Sequence, residues 1–294
     1  MPIRTNLNHL DRLSALLEGA RPQIELLGNA EPWPPTASGL RLWLLLRGRA
    51  RVRSGADERE LSAPVLWLGG DPSTPPVELL ATAADADWLR LQIGFAGPAG
   101  PLLAAQFASP QLIACDGSES PALRQVVGLI CAEAAAPRCG QPALLKRAGE
   151  ILFIALLRHQ IEHPGRSGQL FRGLADPRLA RVLVAVHEQP AAPWTLESLA
   201  ATAGMSRTAF ANAFRDCLQQ TPGQYLAELR LALARQAVAQ GRGLKEAARR
   251  SGYRSSSALS KALSRSTAKK GEKDAKKLAA AAPSPPEDAT TTSP

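Results

Sequence analysis

The chain has 294 residues, of which 45% are hydrophobic, so it is long enough for two globular units that each bury a core. The formal net charge of +9 is concentrated in residues 195–277, which contain 16 basic and 6 acidic residues, whereas residues 1–194 contain 19 and 18. A basic unit attracts polyanions, most commonly nucleic acid, although a surface that only aids solubility has the same composition.

Several classes of protein are disfavoured by what the sequence lacks. The four cysteines have irregular spacings that argue against a disulfide framework or a zinc site. The N-terminus shows no basic start followed by an apolar run, and the longest apolar run, 151–157, is too short to span a membrane. Gly-x-Ser-x-Gly, P-loop and paired-cysteine motifs do not occur. We therefore expect a cytoplasmic protein that is not an enzyme and that carries no metal or cofactor.

The N-terminal half alternates between helical and strand-like patterns. Leucines at helical spacing predict a helix over 7–18, and short apolar runs separated by Gly and Pro then predict a small β-sandwich or barrel. These runs are 40–46, 50–54, 64–70 and 86–95. Two helices are predicted next, over 121–135 and 142–162, and their apolar faces fit either internal packing or a dimer contact. The fold class that follows is α+β.

The C-terminal half is predicted to be entirely helical. A loop rich in Gly and Pro, 163–173, marks the predicted boundary between the two units, and Asp176 followed by Pro177 is a typical helix start. After residue 266 the chain contains Lys, Ala, Pro, Ser and Thr without apolar periodicity, which predicts disorder. The predicted domains are 1–165 and 174–266, with a disordered tail over 267–294.

Residues 195–218 have the pattern of two short helices joined by a tight turn. Thr195 is placed to cap the first helix, Gly204 to form the turn and Ser206 to cap the second helix. Phe210 and Phe214 are four residues apart, so both face the core. This is the helix-turn-helix pattern, which an ordinary helical hairpin with a solvated outer face would share.

The outward face of the second helix carries small and polar residues that suit the major groove. Asn212 is placed to pair with adenine, and Thr208 or Ala211 to contact a thymine methyl group. Arg207 and Arg215 are better placed to contact phosphates, which position a helix without reading sequence.

A second unit of the same pattern follows at 244–265, with the turn at Gly252 and with Leu259 and Leu263 four residues apart. The segment between the two units, 225–240, is predicted to be a connecting helix. A rigid connector can place two reading helices in successive major grooves, about 34 Å apart along the duplex.

These segments resemble the arabinose-regulator (AraC/XylS) family of transcription regulators. The resemblance covers 178–265 and is carried by WTLESLAATAGMSRTAF, TPGQYLAELRLALARQAV, GLKEAARRSGY and SALSKAL. It implies a tandem helix-turn-helix domain that binds promoter DNA and usually activates transcription, with RNA polymerase, a second copy of the chain and a small-molecule effector as further partners. The residues that it places at the DNA are Ser206, Arg207, Thr208, Ala211, Asn212, Arg215, Arg254, Ser256, Ser257, Ser260 and Lys261.

The sequence departs from the family pattern at two points. Gln220 stands where the family usually has Gly, and after Arg265 the chain enters its Lys/Ala/Pro tail where members continue with an aromatic-Gly turn, a Pro and a closing helix. The second unit is therefore expected to be under-packed, with Leu259 and Leu263 in place of the bulkier aromatic residues of the family.

The strand-rich segment resembles the cupin-like sensor domain that precedes this DNA-binding domain in many members, most clearly at LWLGGD, 66–71. No histidine lies between His9 and His159, which argues against an imidazole-bound metal centre inside the barrel. Trp33, Trp43, Trp67 and Trp88 fall in this unit and fit either core packing or a small-molecule pocket. Two other functions remain as alternatives, a metal-free cupin-type enzyme and a helical interaction protein that does not bind DNA.

Overall fold

A computed structural model describes residues 12–27, 39–54, 57–69, 78–82, 86–107, 109–115, 120–164 and 168–266. The first part of the predicted helix over 7–18 and the whole predicted tail over 267–294 lie outside these residues. Within them, helix α1 (Arg12–Ala20) precedes the strands and ends two residues later than the sequence pattern predicted.

The N-terminal half contains two antiparallel sheets. The five-stranded sheet has the order β1-β7-β2-β5-β8 and the three-stranded sheet the order β4-β3-β6. The strands are β1 (Pro22–Leu27), β2 (Gly39–Arg47), β3 (Arg49–Ser54), β4 (Asp57–Ser62), β5 (Val65–Gly69), β6 (Glu78–Thr82), β7 (Asp87–Phe95) and β8 (Gln111–Ala114). The four apolar runs of the sequence therefore are strands, and the prediction of a sheet-rich unit is confirmed.

Strand alternation separates the two faces of the large sheet. Leu42 of β2 lies opposite Leu68 of β5 and Leu91 of β7, and all three are at most 1% exposed. This face packs against helices, and the opposite face turns toward the small sheet, where Leu45 joins Ala50, Val52, Leu61 and Val65 in a separate apolar cluster.

Two long helices cover the outer face of the large sheet, α3 (Pro121–Ala135) and α4 (Gln141–Glu162). A side chain at Gly149 would place its Cβ 2.6 Å from Leu91, so this glycine allows α4 to approach the sheet closely. A short helix, α2 (Gly100–Ala104), fills the corner between β7 and β8. The predicted packing role of α3 and α4 is thus observed.

The remaining residues are helical. The helices are α5 (Gln169–Ala175), α6 (Pro177–Glu188), α7 (Leu196–Ala203), α8 (Arg207–Leu218), α9 (Pro222–Ala239), α10 (Leu244–Arg250) and α11, 256–266. The prediction of a loop over 163–173 is wrong in its second half, because α5 begins at Gln169. Leu170, Phe171 and Leu174 of α5 are at most 2% exposed. Their burial against the rest of the protein stabilises this helix, which is too short to show a helical pattern in the sequence.

One apolar cluster runs from the large sheet through α4 to the helices of the C-terminal half. Helix α1 packs against α6, and the Arg12 guanidinium donates a hydrogen bond of 3.0 Å to the carbonyl of Leu174. The amide of Gln236 in α9 donates to the carbonyl of Ala96, which follows β7. No helix in the described ranges is long and apolar enough to cross a membrane.

Candidate nucleic-acid interface

The start of α7 is held by a complete capping box. The Thr195 hydroxyl accepts a hydrogen bond from the Ser198 amide at 3.1 Å, and the Ser198 hydroxyl accepts one from the Thr195 amide at 2.9 Å. Serine therefore performs the role that Glu or Gln usually has at this position, and two amides at the helix start are satisfied.

The turn between α7 and α8 depends on glycine. Gly204 has φ +68°, a left-handed conformation that glycine adopts without strain. The Met205 amide then donates back to the Ala200 carbonyl at 2.9 Å, and the Ser206 hydroxyl caps α8 by accepting from the Ala209 amide. The turn is therefore defined by local hydrogen bonds, as the sequence pattern predicted.

The inner side of α8 is buried completely. Phe210 and Phe214 are 0% and 1% exposed, and their rings contact each other edge to face with centroids 5.6 Å apart. Phe214 also contacts Tyr225 of α9, whose hydroxyl lies 2.7 Å from Nε2 of His187 in α6. Burial lowers the pKa of His187 to about 4, so this imidazole is neutral at physiological pH.

The outer side of α8 is open to solvent. Arg207, Thr208, Asn212 and Arg215 are exposed and Ala211 is half-buried, so all five predicted residues lie on the side opposite the phenylalanines. The geometry that DNA contact requires is present, because neither the β-unit nor any other described segment covers this face.

The ion pair between Arg207 and Glu197 was not foreseen from the sequence. The guanidinium lies 2.8 Å from the carboxylate, and both side chains are more than half exposed. The hydrogen bond from Arg207 lowers the pKa of Glu197. The two partners are ten residues apart in the sequence. Their contact depends on the angle between α7 and α8, which the spacing of the residues does not predict.

The second unit repeats the design of the first. Gly252 has φ +76°, and the Tyr253 amide donates to the Ala248 carbonyl at 2.9 Å, as the Met205 amide does in the first turn. The hydroxyl of Ser255 caps α11 by accepting from the Ala258 amide at 3.1 Å. The predicted contact residues at this helix are all exposed, namely Arg254, Ser256, Ser257, Ser260 and Lys261.

The core of the second unit is small and separate from the main one. It consists of Leu259 and four alanines of α9 and α10, with Tyr253 and Leu263 at its margin. Arg230 of α9 holds the loop before α7 beside the second unit. Its guanidinium donates to the carbonyls of Pro190 and Ala192 at 2.8 and 2.7 Å, next to the turn at Gly252.

The inner face of the barrel combines aromatic and polar side chains. The rings of Trp43 and Trp67 stack with centroids 4.2 Å apart, and Gly69 leaves the space that the Trp43 ring occupies. Gln92 lies two residue pairs further along the sheet, on the same face and opposite Arg41, and is 5% exposed. Its amide group is buried without a hydrogen-bond partner among the residues that the structure describes.

The described residues contain no group of three or more His, Cys, Asp or Glu side chains able to hold a metal ion. His159 and His163 lie together on α4 and its end, with ring centroids 4.3 Å apart, on the helical side of the sheet.

Comparison with known proteins identifies both halves of the chain. The cupin family matches residues 11–162, just over half of the chain, and a family described as a helix-turn-helix domain matches residues 199–270. The HTH-type transcriptional regulator AlkR of Acinetobacter baylyi is 35% identical over 127 residues, which are 43% of this chain and 42% of AlkR. A putative AraC-like transcription regulator of Streptomyces lividans is 38% identical over 117 residues, 39% of this chain and 38% of that protein.

The chain thus spans about two fifths of the length of the curated relatives that it matches. Among solved structures, ToxT from Vibrio cholerae O395 is similar at 12% identity with a TM-score of 0.33, over 82% of this chain and 87% of ToxT.

Fold and site together define a two-part protein, a cupin barrel joined to paired helix-turn-helix units. The chain belongs to the cupin family through residues 11–162, and its C-terminal half contains a helix-turn-helix domain of the AraC type.

Proposed function

We propose that this protein is a cytoplasmic, sequence-specific DNA-binding regulator of transcription that acts without catalysing a reaction. The observation that carries the proposal is the two-sided character of α8, whose phenylalanines are fully buried while its polar side is exposed. Helix α11 repeats this arrangement with Leu259 buried and its serines exposed. Two such helices, joined by one connecting helix, suit two successive turns of the major groove.

The residues of α8 divide into two roles. Asn212 and Thr208 lie toward base edges. The side-chain amide of Asn212 can form two hydrogen bonds with adenine, and no other base presents the same pair of donor and acceptor groups. Arg207 and Arg215 lie toward phosphates and supply affinity that depends on salt. Since Arg207 is paired with Glu197 in the free protein, DNA must replace that contact, and the exchange has little energetic cost because both partners are exposed.

The first prediction separates these roles by substitution. Asn212→Ala should reduce the preference for one base position, since a good bidentate contact contributes about 1–3 kcal/mol of discrimination. Arg215→Ala should weaken binding to all duplexes by a similar factor and reduce the slope of log K against log salt by about 1. The measurement is fluorescence anisotropy on duplexes selected from genomic fragments, with each base of the site varied in turn.

Arg124→Ala, an exposed arginine of α3 in the cupin domain, is the matched control and should leave both the affinity and the salt slope unchanged. Equal losses on every sequence for Asn212→Ala would remove its assigned role. Absence of duplex binding by the wild-type chain would favour the alternative of a helical interaction protein.

The inner face of the barrel is the proposed site for a small-molecule effector. The support is the buried amide of Gln92 beside the Trp43–Trp67 stack, which has no hydrogen-bond partner among the described residues, because an unsatisfied buried amide is costly unless a ligand completes its hydrogen bonds. A ligand bound here would act by favouring one arrangement of the DNA-binding helices. Tryptophan fluorescence can identify such ligands, and an affinity unchanged in Gln92→Leu would place them elsewhere.

The proposal also includes binding to RNA polymerase and to a second copy of the chain. The face of α3 and α4 that points away from the sheet exposes Leu129 and Ile151 at 48% and 50%, which suits a dimer contact in the bound assembly. Sedimentation with and without a selected duplex measures whether two copies bind together.

A further inference from the structure

A cleft of about 220 Å³ lies between the cupin domain and the second helix-turn-helix unit. Arg21, which follows α1, lines it from one side, and Arg242 and Arg250 of the second unit line it from the other. Gln236 and Gln240 also line it, and Pro98 contributes part of the apolar wall. Three cations from two distant parts of the chain therefore converge on one space.

The arginines of this cleft have no direct ion-pair partner in the part of the chain that the structure describes. None of the lining residues is acidic, and none of the three arginines forms an ion pair or side-chain hydrogen bond among the described residues. The neighbouring carboxylate, Glu246, is bound directly by Arg249 at 2.8 Å, and the charges of Arg242 and Arg250 also lower its pKa without forming an ion pair. Three converging guanidinium groups without a directly bound carboxylate attract an anion, and guanidinium groups bind oxyanions in bidentate geometry.

The backbone at Arg21 is held in a conformation that arginine rarely adopts. Its φ is +47°, its amide donates to the Leu17 carbonyl at 2.7 Å and its carbonyl accepts from the Ala96 amide at 3.1 Å. Glycine would adopt this conformation without strain, so the presence of arginine calls for a role of its side chain. Gln236 bonds to the carbonyl of the same Ala96, so this corner joins the two halves.

The volume restricts what can bind. Drug-sized ligands occupy pockets of about 300–1,000 Å³, and a water molecule takes up about 30 Å³. The cleft is therefore suited to a small and highly charged ligand and not to a long apolar one.

We infer that this cleft binds a small oxyanion with at least two negative charges, a phosphate monoester or a dicarboxylate, and that binding links the cupin domain to the second helix-turn-helix unit. The anion bridges Arg21 to Arg242 and Arg250, and so selects one orientation of α10 and α11 relative to the barrel. The site is distinct from the inner face of the barrel. Anion binding is independent of the proposed function, and only its effect on DNA rests on that function.

The experiment titrates the full chain, without DNA, by calorimetry with inorganic phosphate and, separately, with succinate, at an ionic strength held constant with sodium chloride. Loss of one charge-assisted contact should raise the dissociation constant about tenfold or more in Arg242→Gln and in Arg250→Gln. Arg124→Gln removes an exposed arginine outside the cleft and should bind as the wild type does.

Arg21→Gly keeps the test independent of misfolding. Glycine suits the positive φ, so this variant should unfold at a temperature no lower than the wild type while its dissociation constant rises at least tenfold. Binding of phosphate alone indicates a phosphate ester, and binding of succinate alone indicates a dicarboxylate.

Three results would overturn the inference. These are no binding of either anion, equal binding by all variants and, in a separate titration with a selected duplex added, displacement of the anion by the duplex, which would assign these arginines to the DNA backbone. Because the titration contains no DNA, failure of the proposed DNA binding would leave it intact.

Discussion

At the scale of single residues, the His187–Tyr225 pair connects the packing of the reading helix to pH. Tyr225 contacts Phe214 of α8, and its hydroxyl lies 2.7 Å from the imidazole of His187. A Cβ added at Gly19 of α1 would lie 3.7 Å from Nδ1 of His187, so α1 covers the other side of the ring. Burial removes water from around this ring, and the surrounding groups do not stabilise the positive charge that protonation would create. The neutral form of His187 is therefore favoured.

The second prediction follows from the lowered pKa of His187, about 4 against 6.5 for the free group. As pH falls below 6.5 the unfolded chain takes up a proton that the folded chain does not, so the stability present above pH 6.5 declines until about pH 4. The free energy of unfolding should fall by roughly 2 kcal/mol between pH 7.5 and 5 from this group. Urea denaturation of wild type and His187→Gln at both pH values measures it, and the same pH dependence in both proteins would contradict the assignment.

At the scale of elements, the two helix-turn-helix turns have the same backbone and different surroundings. Gly204 and Gly252 both have positive φ, and each is followed by an amide that closes the turn. A Cβ at Gly204 would meet nothing within 4 Å, whereas one at Gly252 would lie 2.8 Å from the Cα of Ala191. The second turn is therefore packed against the loop before α7, and the first turn is exposed.

The third prediction compares alanine at these two glycines. Gly204→Ala should destabilise the protein by about 1 kcal/mol through backbone strain alone. Gly252→Ala should cost roughly 1–2 kcal/mol more, because the loop at Ala191 must also move and the Arg230 contacts move with it. The measurement is urea denaturation of both variants, with Gly204→Ala as the control for strain. Equal losses would show that the second turn is not packed as described.

The small core of the second unit has a consequence for the order of unfolding. The first unit shares the main apolar cluster, whereas the second depends on Leu259 and a few alanines. Alanines bury little area, so α10 and α11 should show less protection from hydrogen exchange than α7 and α8.

At the scale of the whole molecule, the two halves share one core. Leu13, Leu16 and Ala20 of α1 are buried in the same cluster as Val182 and Leu183 of α6. Helix α1 precedes the barrel in sequence and packs on the DNA-binding half, so it ties the two parts together. A shared core favours a single cooperative transition on unfolding.

The fourth prediction tests this coupling with two leucines. Leu16→Ala should lower the free energy of unfolding by about 2–5 kcal/mol, because Leu16 is buried where the halves meet. Leu129→Ala is the matched control and should change stability by about 0.5 kcal/mol or less, since Leu129 is 48% exposed. Calorimetry should show one transition for both variants. Two separate transitions in the wild type would mean that the halves unfold independently.

Much of the DNA-binding half could be predicted from sequence because its signals are local. The cap residues Thr195 and Ser206, the turn at Gly204 and the phenylalanine pair lie within twenty residues, and each acts through hydrogen bonds or helical spacing over one or two turns. The same holds for the strands, whose apolar runs and Gly/Pro boundaries were recognised. Helix α5 was missed, since its seven residues depend on burial and not on their own pattern.

The sequence by itself determined the fold class, the positions of α8 and α11 and the side of α8 that faces outward, because these follow from periodicity and capping over short distances. Tertiary structure alone decided the packing of α1 on α6, the Arg207–Glu197 ion pair and the convergence of Arg21, Arg242 and Arg250 on one cleft. These contacts join residues that are far apart in the chain. They form only when many intervening residues have reached their folded positions, and no local sequence pattern encodes those positions.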